Sequence, residues 1–212
     1  RVLFRSVRLR INFEMTSYSK QNLCAIAPVF LCLVLPSLLI ELLDAIAFFS
    51  NDFSFRFDRQ RVAQGEWWRL LVGHFDHLGW NHFLLNSVFL ALLLSLFQGL
   101  NRVSLVVPLV YLLCLSISAL MWWFSPELQW YVGLSGALYG LLVFALWGDQ
   151  SYPKWLRLAV LFVLSFKIAS EQLAGGTQAV SEFISGPIAV DAHLYGLLSG
   201  LVAVLVVKFL RI

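Results

Sequence analysis

The stretch Tyr131-Val132-Gly133-Leu134-Ser135-Gly136-Ala137-Leu138-Tyr139-Gly140 decides the fold of this chain, because it places a serine between two glycines at the head of an apolar run. The run from Leu134 to Trp147 contains no charged residue. As a helix it would be about 21 Å long at ~1.5 Å per residue, which is shorter than the ~30 Å hydrocarbon core of a bilayer. If the far end of this helix reaches water at one membrane surface, Ser135 begins the helix below the opposite membrane surface. Irregular backbone at that depth must be buried or line a wet cavity, so Gly133 and Ser135 are predicted to face a hole in the protein.

A serine that lines a cavity can serve as a nucleophile, but the same residues have a plainer interpretation. Glycine and serine also let helices pack closely in membranes, where small residues are common at helix contacts. On this stretch alone the packing interpretation is the commoner of the two. The rest of the chain has to decide between them.

The composition indicates a membrane protein. The chain has 212 residues, of which 60% are hydrophobic, whereas soluble domains average about 45–50%. The formal net charge of +3 gives no sign of nucleic-acid binding, and the three cysteines show no CxxC spacing. We therefore expect an all-α polytopic membrane protein of a single domain, with no cofactor, no metal and no nucleic acid.

Six apolar runs predict six membrane-spanning helices, of which the fourth is short. Their approximate bounds are 23–43, 78–97, 103–123, 134–147, 155–173 and 192–210. Pro28 and Pro36 are expected to kink the first of them. Residues 1–14 are interpreted as an upstream extension before a natural start at Met15, and 15–212 as one membrane domain. Residues 44–76 are predicted to form a long polar and aromatic loop that is functional or partly structured.

The distribution of basic residues predicts the orientation. The two chain ends and the connections after spans 2 and 4 carry lysine and arginine, whereas the connections after spans 3 and 5 carry only acidic charges. The positive-inside rule then places both termini in the cytoplasm. On that topology His82, Ser135 and His193 all lie near the outer face, and this shared depth is the best internal sign of a site.

A serine nucleophile needs a base within hydrogen-bond reach. His193 begins span 6 at the depth where Ser135 begins span 4, and small residues on both helices favour a close approach of the two backbones. These small residues are Gly136 and Gly140 on span 4 and Gly196 and Gly200 on span 6. Tyr139, one turn below Ser135, is predicted to pack against the imidazole and orient it.

Polar side chains at the start of span 2 suggest a second part of the site, because polar groups inside a membrane are costly and tend to mark function. His82 and Asn86 are four residues apart and share a helix face. With the Ser135 backbone N–H at a helix N-terminus, they are candidate donors to an oxyanion. His77 is predicted to be structural, tying the first loop to span 2, and His74 to be interfacial.

Two further charged features favour structural interpretations. Lys167 and Glu171 are four residues apart, a spacing that allows an ion pair within span 5, and the pair is expected to snorkel to the membrane interface. Asp191 precedes Ala192-His193 and is expected to cap span 6 rather than to tune His193.

The combined pattern resembles the rhomboid intramembrane serine proteases over everything after Met15. The residues that carry the resemblance are Gly133-Leu134-Ser135-Gly136 with Tyr139, His82 with Asn86 and His77, Ala192-His193 with Gly196 and Gly200, and Trp68-Arg69 in the first loop. The resemblance implies that Ser135 is the nucleophile and His193 the general base and acid of a dyad. It implies that His82 and Asn86 are oxyanion donors, and that Trp68 and Arg69 help to fix the first loop.

Within that family the chain looks most like rhombosortases, on its small size, its lack of a soluble domain, its short connections and the run from Gly65 to Leu71. That resemblance implies a bacterial inner-membrane enzyme, with its active site open to the periplasm, that processes transmembrane substrates carrying a C-terminal Gly-Gly anchor. Two alternatives stay open: a non-catalytic rhomboid-like protein that binds membrane clients, and a metal-dependent membrane enzyme using His74, His77 and His82.

Overall fold

The computed structural model describes residues 25–46 and 54–210. The predicted extension 1–14, the proposed start at Met15 and the first two residues of the predicted first span lie outside the described residues. The first described helix, α1 (Ala25–Ile46), runs continuously through Pro28 and Pro36.

The described residues form a helical bundle, which confirms the predicted fold class. Its long helices after α1 are α4 (Trp80–Leu96), α5 (Val103–Phe124), α6 (Ser135–Gly148), α7 (Lys154–Ala174) and α9 (Val190–Leu210). By length and apolar composition α1, α5 and α9 can each cross a membrane, while α4 and α6 are shorter apolar helices. Helix α6 has 14 residues, as expected for the short fourth helix. The chain is therefore a multi-pass membrane protein.

The connections contain more regular structure than the sequence predicted. The first loop holds the short strand β1 (Phe57–Asp58) and the helices α2 (Arg59–Ala63) and α3 (Arg69–Val72). After α7 the chain forms a further short helix, α8 (Gln178–Ile184), whose axis lies at 89° to that of α7. The sequence did not predict helix α8, because its seven residues are too few to show a clear helical period.

Helices α6 and α9 cross at the centre of the bundle with almost no space between their backbones. A Cβ added at Gly136 would lie 2.6 Å from the Ala192 carbonyl oxygen, and one at Gly140 would lie 2.8 Å from that of Gly196. Any larger residue on this seam would force the helices apart, as expected where small residues mediate membrane helix packing. The predicted close approach is therefore present, and it fixes the relative position of the first turns of α6 and α9.

A two-stranded antiparallel ladder joins the first loop to the segment that leads into α6. Strand β1 pairs with β2 (Trp130–Tyr131), with Phe57 opposite Tyr131 and Asp58 opposite Trp130. Arg59 extends this junction. Its guanidinium donates to four backbone carbonyl oxygens at and beyond the C-terminal end of α5, those of Met121, Trp122, Ser125 and Leu128, at 2.8–3.0 Å. The first loop thereby holds the chain just before Ser135.

Arg59→Lys should lower stability by about 3 kcal/mol, because a lysine ammonium cannot reproduce a planar guanidinium that satisfies four acceptors at once. In thermal unfolding in detergent this corresponds to a fall in Tm of roughly 6–12 °C. The same exchange at the exposed Arg102 is the control and should leave Tm nearly unchanged. Equal Tm values for both variants would mean that the Arg59 bonds contribute nothing to the fold.

Candidate active site

Ser135 and His193 are in direct contact. Ser135 is the first residue of α6, His193 lies in the first turn of α9, and the distance between Ser135 Oγ and His193 Nε2 is 2.9 Å. The histidine is buried, with 7% of its surface exposed, while the serine is partly exposed. A hydroxyl that is reachable from outside and bonded to a sheltered ring nitrogen has the geometry that nucleophilic catalysis requires.

Tyr139 packs against the imidazole ring of His193. Its ring meets that of His193 edge to face, with the ring centroids 4.7 Å apart, and Phe89 of α4 also packs edge to face against Tyr139 at 5.7 Å. Such an arrangement restricts rotation of the imidazole. The contact between Tyr139 and His193 is the one that the helical spacing predicted.

The turn that presents Ser135 depends on Gly133. This glycine has φ +114°, a conformation that side chains with a Cβ rarely adopt, and its backbone N–H donates to the Gly73 carbonyl at 3.3 Å. The Tyr131 hydroxyl donates to the Gly133 carbonyl oxygen. The His82 ring lies directly against Gly133, since a Cβ built there would be 2.6 Å from His82 Cε1. Gly133 is thus required both by its backbone angle and by the neighbouring ring.

Gly133→Ala should lower the rate of substrate cleavage by at least about tenfold, because the added methyl group would displace His82 or reshape the turn before Ser135. The matched control is Gly79→Ala. Gly79 also has a positive φ, of +123°, but a Cβ there meets nothing within 4 Å. If both variants lose the same activity, backbone strain alone explains the loss and the close contact with His82 has no catalytic importance.

His82 and Asn86 lie on α4 beside this turn, and both are buried. The Leu78 N–H donates to His82 Nδ1 at 3.4 Å, which leaves Nε2 to carry the ring proton on the side that faces Gly133. The Asn86 amide donates to the His82 carbonyl oxygen at 3.2 Å and so braces the helix turn that carries the ring. The structure therefore offers His82 Nε2–H as a donor close to the serine turn.

The other two histidines are also buried. The His77 Nδ1–H donates to the Phe75 carbonyl oxygen at 3.1 Å, and its ring packs edge to face on His82 at 4.9 Å. The prediction that His74 is interfacial is wrong, because this residue is completely buried and its Nε2 lies 2.9 Å from Ser118 Oγ. Burial lowers the pKa of His74 to about 3, and burial followed by the proximity of His82 lowers the pKa of His77 to about 3. Both rings are therefore neutral at physiological pH and serve as structural hydrogen-bonding groups.

Arg69 holds the first loop together. Its buried guanidinium donates to the carbonyl oxygens of Ser54 and Arg56 at 2.6 and 2.8 Å and pairs with Glu66 at 2.6 Å. The Trp68 ring lies 4.4 Å from the guanidinium carbon. This geometry supports the predicted role of Trp68 and Arg69 in fixing the loop.

Asp191 lies inside the first turn of its helix rather than at the cap position. It lies one residue after the start of α9 at Val190 and accepts a hydrogen bond from Ser125 Oγ at 2.5 Å. The predicted cap is therefore corrected to a tie between α9 and the end of α5. An acidic residue in the first turn also suits the helix dipole.

The interpretation of Lys167 and Glu171 as an interfacial pair is wrong for Glu171. The two side chains do form the predicted ion pair, but Glu171 is buried, with 6% of its surface exposed. Its second carboxylate oxygen lies 2.8 Å from His193 Nδ1. The carboxylate thus points into the bundle and contacts the candidate base, while Lys167 is only half buried.

Within the described residues, no group of three or more His, Cys, Asp or Glu side chains is arranged to hold a metal ion. The three histidines of the metal alternative are used otherwise. His74 contacts Ser118, His77 contacts Phe75, and His82 lies against Gly133.

Comparison with known proteins identifies the family. The family model described as Rhomboid domain matches residues 64–208, more than half of the chain. The chain belongs to the rhomboid family. It is also 29% identical over 145 residues to the Bacillus subtilis (strain 168) protein named "Putative rhomboid protease YdcA", an alignment that covers 66% of each chain. The chain thus spans just under two thirds of that relative's length.

In this rhomboid, several residues that shape the site were not singled out from the sequence. Tyr131 and Arg59 hold the segment before Ser135. The Tyr131 hydroxyl bonds locally to the Gly133 carbonyl oxygen, but its strand pairs with the distant Phe57, and Arg59 bonds to the carbonyl oxygen of the equally distant Met121. The spacing of Glu171 to Lys167 predicts an ion pair but not a contact with His193. The available signal was a carboxylate within an apolar helix, which by default marks a functional site.

Proposed function

We propose that this rhomboid is an intramembrane serine endopeptidase with Ser135 as nucleophile and His193 as general base and acid. The observation that carries the proposal is the 2.9 Å contact between Ser135 Oγ and His193 Nε2 in a chain of this family. Both groups lie at helix starts that the α6–α9 crossing holds in register. The dyad is therefore preorganised, which is what an efficient proton transfer requires.

The reaction follows from the geometry. As Ser135 Oγ attacks the scissile carbonyl carbon, its proton passes to His193 Nε2, and the carbonyl oxygen becomes an oxyanion. When the C–N bond breaks, the same proton is given to the leaving amine, and an acyl-enzyme ester on Ser135 remains. A water then attacks the ester with His193 again as base, releasing the carboxylate product and restoring the serine.

The oxyanion is assigned to donors beside the serine turn. These are the Ser135 backbone N–H, which as the first N–H of α6 has no partner within its helix, together with His82 Nε2–H and the Asn86 amide. The contact of His82 with Gly133 supports its inclusion. Asn86 also braces the helix turn that carries His82.

The substrates are proposed to be transmembrane proteins with a C-terminal hydrophobic anchor preceded by Gly-Gly, as for rhombosortases. The support for this substrate class is the resemblance to rhombosortases in chain size, first-loop sequence and short connections. The distribution of lysine and arginine separately favours a bacterial inner-membrane protein with cytoplasmic termini and a periplasmic site. Flexible, small residues at the cleavage point would fit a nucleophile that is only partly exposed at a helix start.

The test uses purified protein in liposomes, assayed with and without a chelator. Two substrates differ only in Gly-Gly or Val-Val ahead of the same hydrophobic helix and basic tail. We expect cleavage of the Gly-Gly substrate alone, at a position located by mass spectrometry. Cleavage of both would contradict the Gly-Gly preference but not the protease, capture of substrate without cleavage would favour a non-catalytic binder, and loss of cutting on adding chelator would favour a metal enzyme.

A further inference from the structure

Glu171 occupies an unusual position on α7. The buried residues of that helix are Leu164, Ile168 and Glu171, which recur at i, i+4 and i+7 and so form one inward stripe. Most other side chains of the helix are exposed, among them Phe162 and Phe166 at about 70%. An aliphatic residue at position 171 would complete the stripe at lower cost, because burying a carboxylate carries a large desolvation penalty. A charge retained there calls for a role beyond packing.

The carboxylate is divided between two partners. One oxygen pairs with Lys167 Nζ, and the other lies 2.8 Å from His193 Nδ1. The ammonium of Lys167 also lies 5.0 Å from the centroid of the Tyr139 ring, which itself packs on His193. The lysine therefore balances the buried charge and fixes the carboxylate in the rotamer that reaches the imidazole.

Both ring nitrogens of His193 are engaged, and the identity of the partners sets the tautomer. An ionised carboxylate only accepts hydrogen bonds, so Nδ1 must carry the ring proton. Nε2 is then left with a free lone pair towards Ser135 Oγ, 2.9 Å away, which is the form that can take the serine proton.

We propose that Glu171 is a positioning residue that extends the dyad to a Ser135–His193–Glu171 triad, with Lys167 as the counter-ion of the carboxylate. This inference rests on the proposed function and goes beyond it, since the dyad alone assigns no hydrogen-bond partner to His193 Nδ1. Glu171 holds the imidazole in the competent tautomer and balances the imidazolium that forms as Ser135 attacks. The proton stays on Nδ1 throughout, so no transfer to Glu171 is required.

The first test measures kcat and KM for the same transmembrane substrate in liposomes. Glu171→Gln should lower kcat by about 10²- to 10⁴-fold with KM changed by less than about threefold, because the amide can also donate to Nδ1 and favour the wrong tautomer. Glu171→Asp, which keeps the carboxylate, should retain more activity than Glu171→Gln. The control is Glu182→Gln at an exposed carboxylate of α8, which should behave as wild type.

A kcat for Glu171→Gln within about threefold of wild type would overturn the inference, as would a rise in KM at unchanged kcat. The Ser135→Ala variant separates this failure from that of the proposed function. If Ser135→Ala still cuts, the protease proposal fails as well. If Ser135→Ala is inactive while Glu171→Gln is fully active, the dyad stands and only the triad fails.

A second measurement needs no Glu171 variant and so does not depend on whether one folds. Wild-type protein labelled with ¹⁵N-histidine is studied by NMR in detergent, and the His193 signals are assigned by their loss in His193→Gln. The neutral imidazole should carry its proton on Nδ1. Assignment of the proton to Nε2 would contradict the proposed hydrogen bond to Glu171.

Discussion

Ser135→Ala should abolish cleavage, lowering kcat by at least about 10³-fold, and His193→Ala should do the same. The two groups form one hydrogen-bonded unit, with Ser135 Oγ 2.9 Å from His193 Nε2, so neither is useful without the other. In serine proteases, losses from members of such a unit are strongly non-additive. The double variant should therefore be no slower than either single variant, within about threefold.

The measurement is single-turnover cleavage of a transmembrane substrate in liposomes, at matched amounts of folded protein. Ser95→Ala provides the control, because the exposed Ser95 hydroxyl donates to the Ala91 carbonyl oxygen of its own helix at 2.7 Å. That variant should cut as wild type does. Activity above about a tenth of wild type in Ser135→Ala would remove this serine from the mechanism.

Gly196→Ala should both destabilise the protein and inactivate it. An added Cβ would overlap the Gly136 carbonyl oxygen of α6. Alanine favours helix by ~1 kcal/mol over glycine, but overpacking a tight contact typically costs about 1–3 kcal/mol and more where backbone atoms clash. The cost of the clash should exceed the gain in helix propensity, so the free energy of unfolding should fall by about 2 kcal/mol or more. Because α6 and α9 carry Ser135 and His193, separating the helices should also break their contact.

Thermal unfolding and cleavage are measured together for this prediction. Gly148→Ala is the matched control on α6, since a Cβ there meets nothing within 4 Å, and it should leave both properties unchanged. We expect Gly196→Ala to lose at least about tenfold in cleavage rate even at a temperature where it remains folded. A Tm and rate equal to those of Gly148→Ala would show that the α6–α9 seam is looser than the structure indicates.

The sequence was sufficient for the bundle and for the approach of Ser135 to His193. An uncharged run too short to span the membrane indicated a buried start for α6, and glycines on two helices indicated which pair of helices touches. Tyr139 followed from helical spacing, because a residue four positions after Ser135 lies one turn below it. These inferences rest on local periodicity and on the length of helices.

The parts that could not be predicted depend on contacts between distant residues. Strands β1 and β2 have two residues each and pair across more than seventy positions, so neither shows an alternating pattern of its own. The burial of the Glu171 side chain could not be predicted, because the pattern of apolar residues in a membrane helix does not show which face is buried. The burial of His74 could not be predicted either, because His74 lies in a turn after α3 and its partner Ser118 lies 44 positions later, on α5.

The most direct test of the central claim is covalent labelling of the nucleophile with a fluorophosphonate, followed by intact-mass analysis and sequencing of the modified peptide. A fluorophosphonate forms a stable ester only with a serine whose proton is taken by an adjacent base. We predict one adduct per chain, located on Ser135, blocked in His193→Ala and accompanied by loss of cleavage. An adduct on another residue, or full cleavage by protein carrying the label on Ser135, would contradict the assignment of Ser135 as the nucleophile.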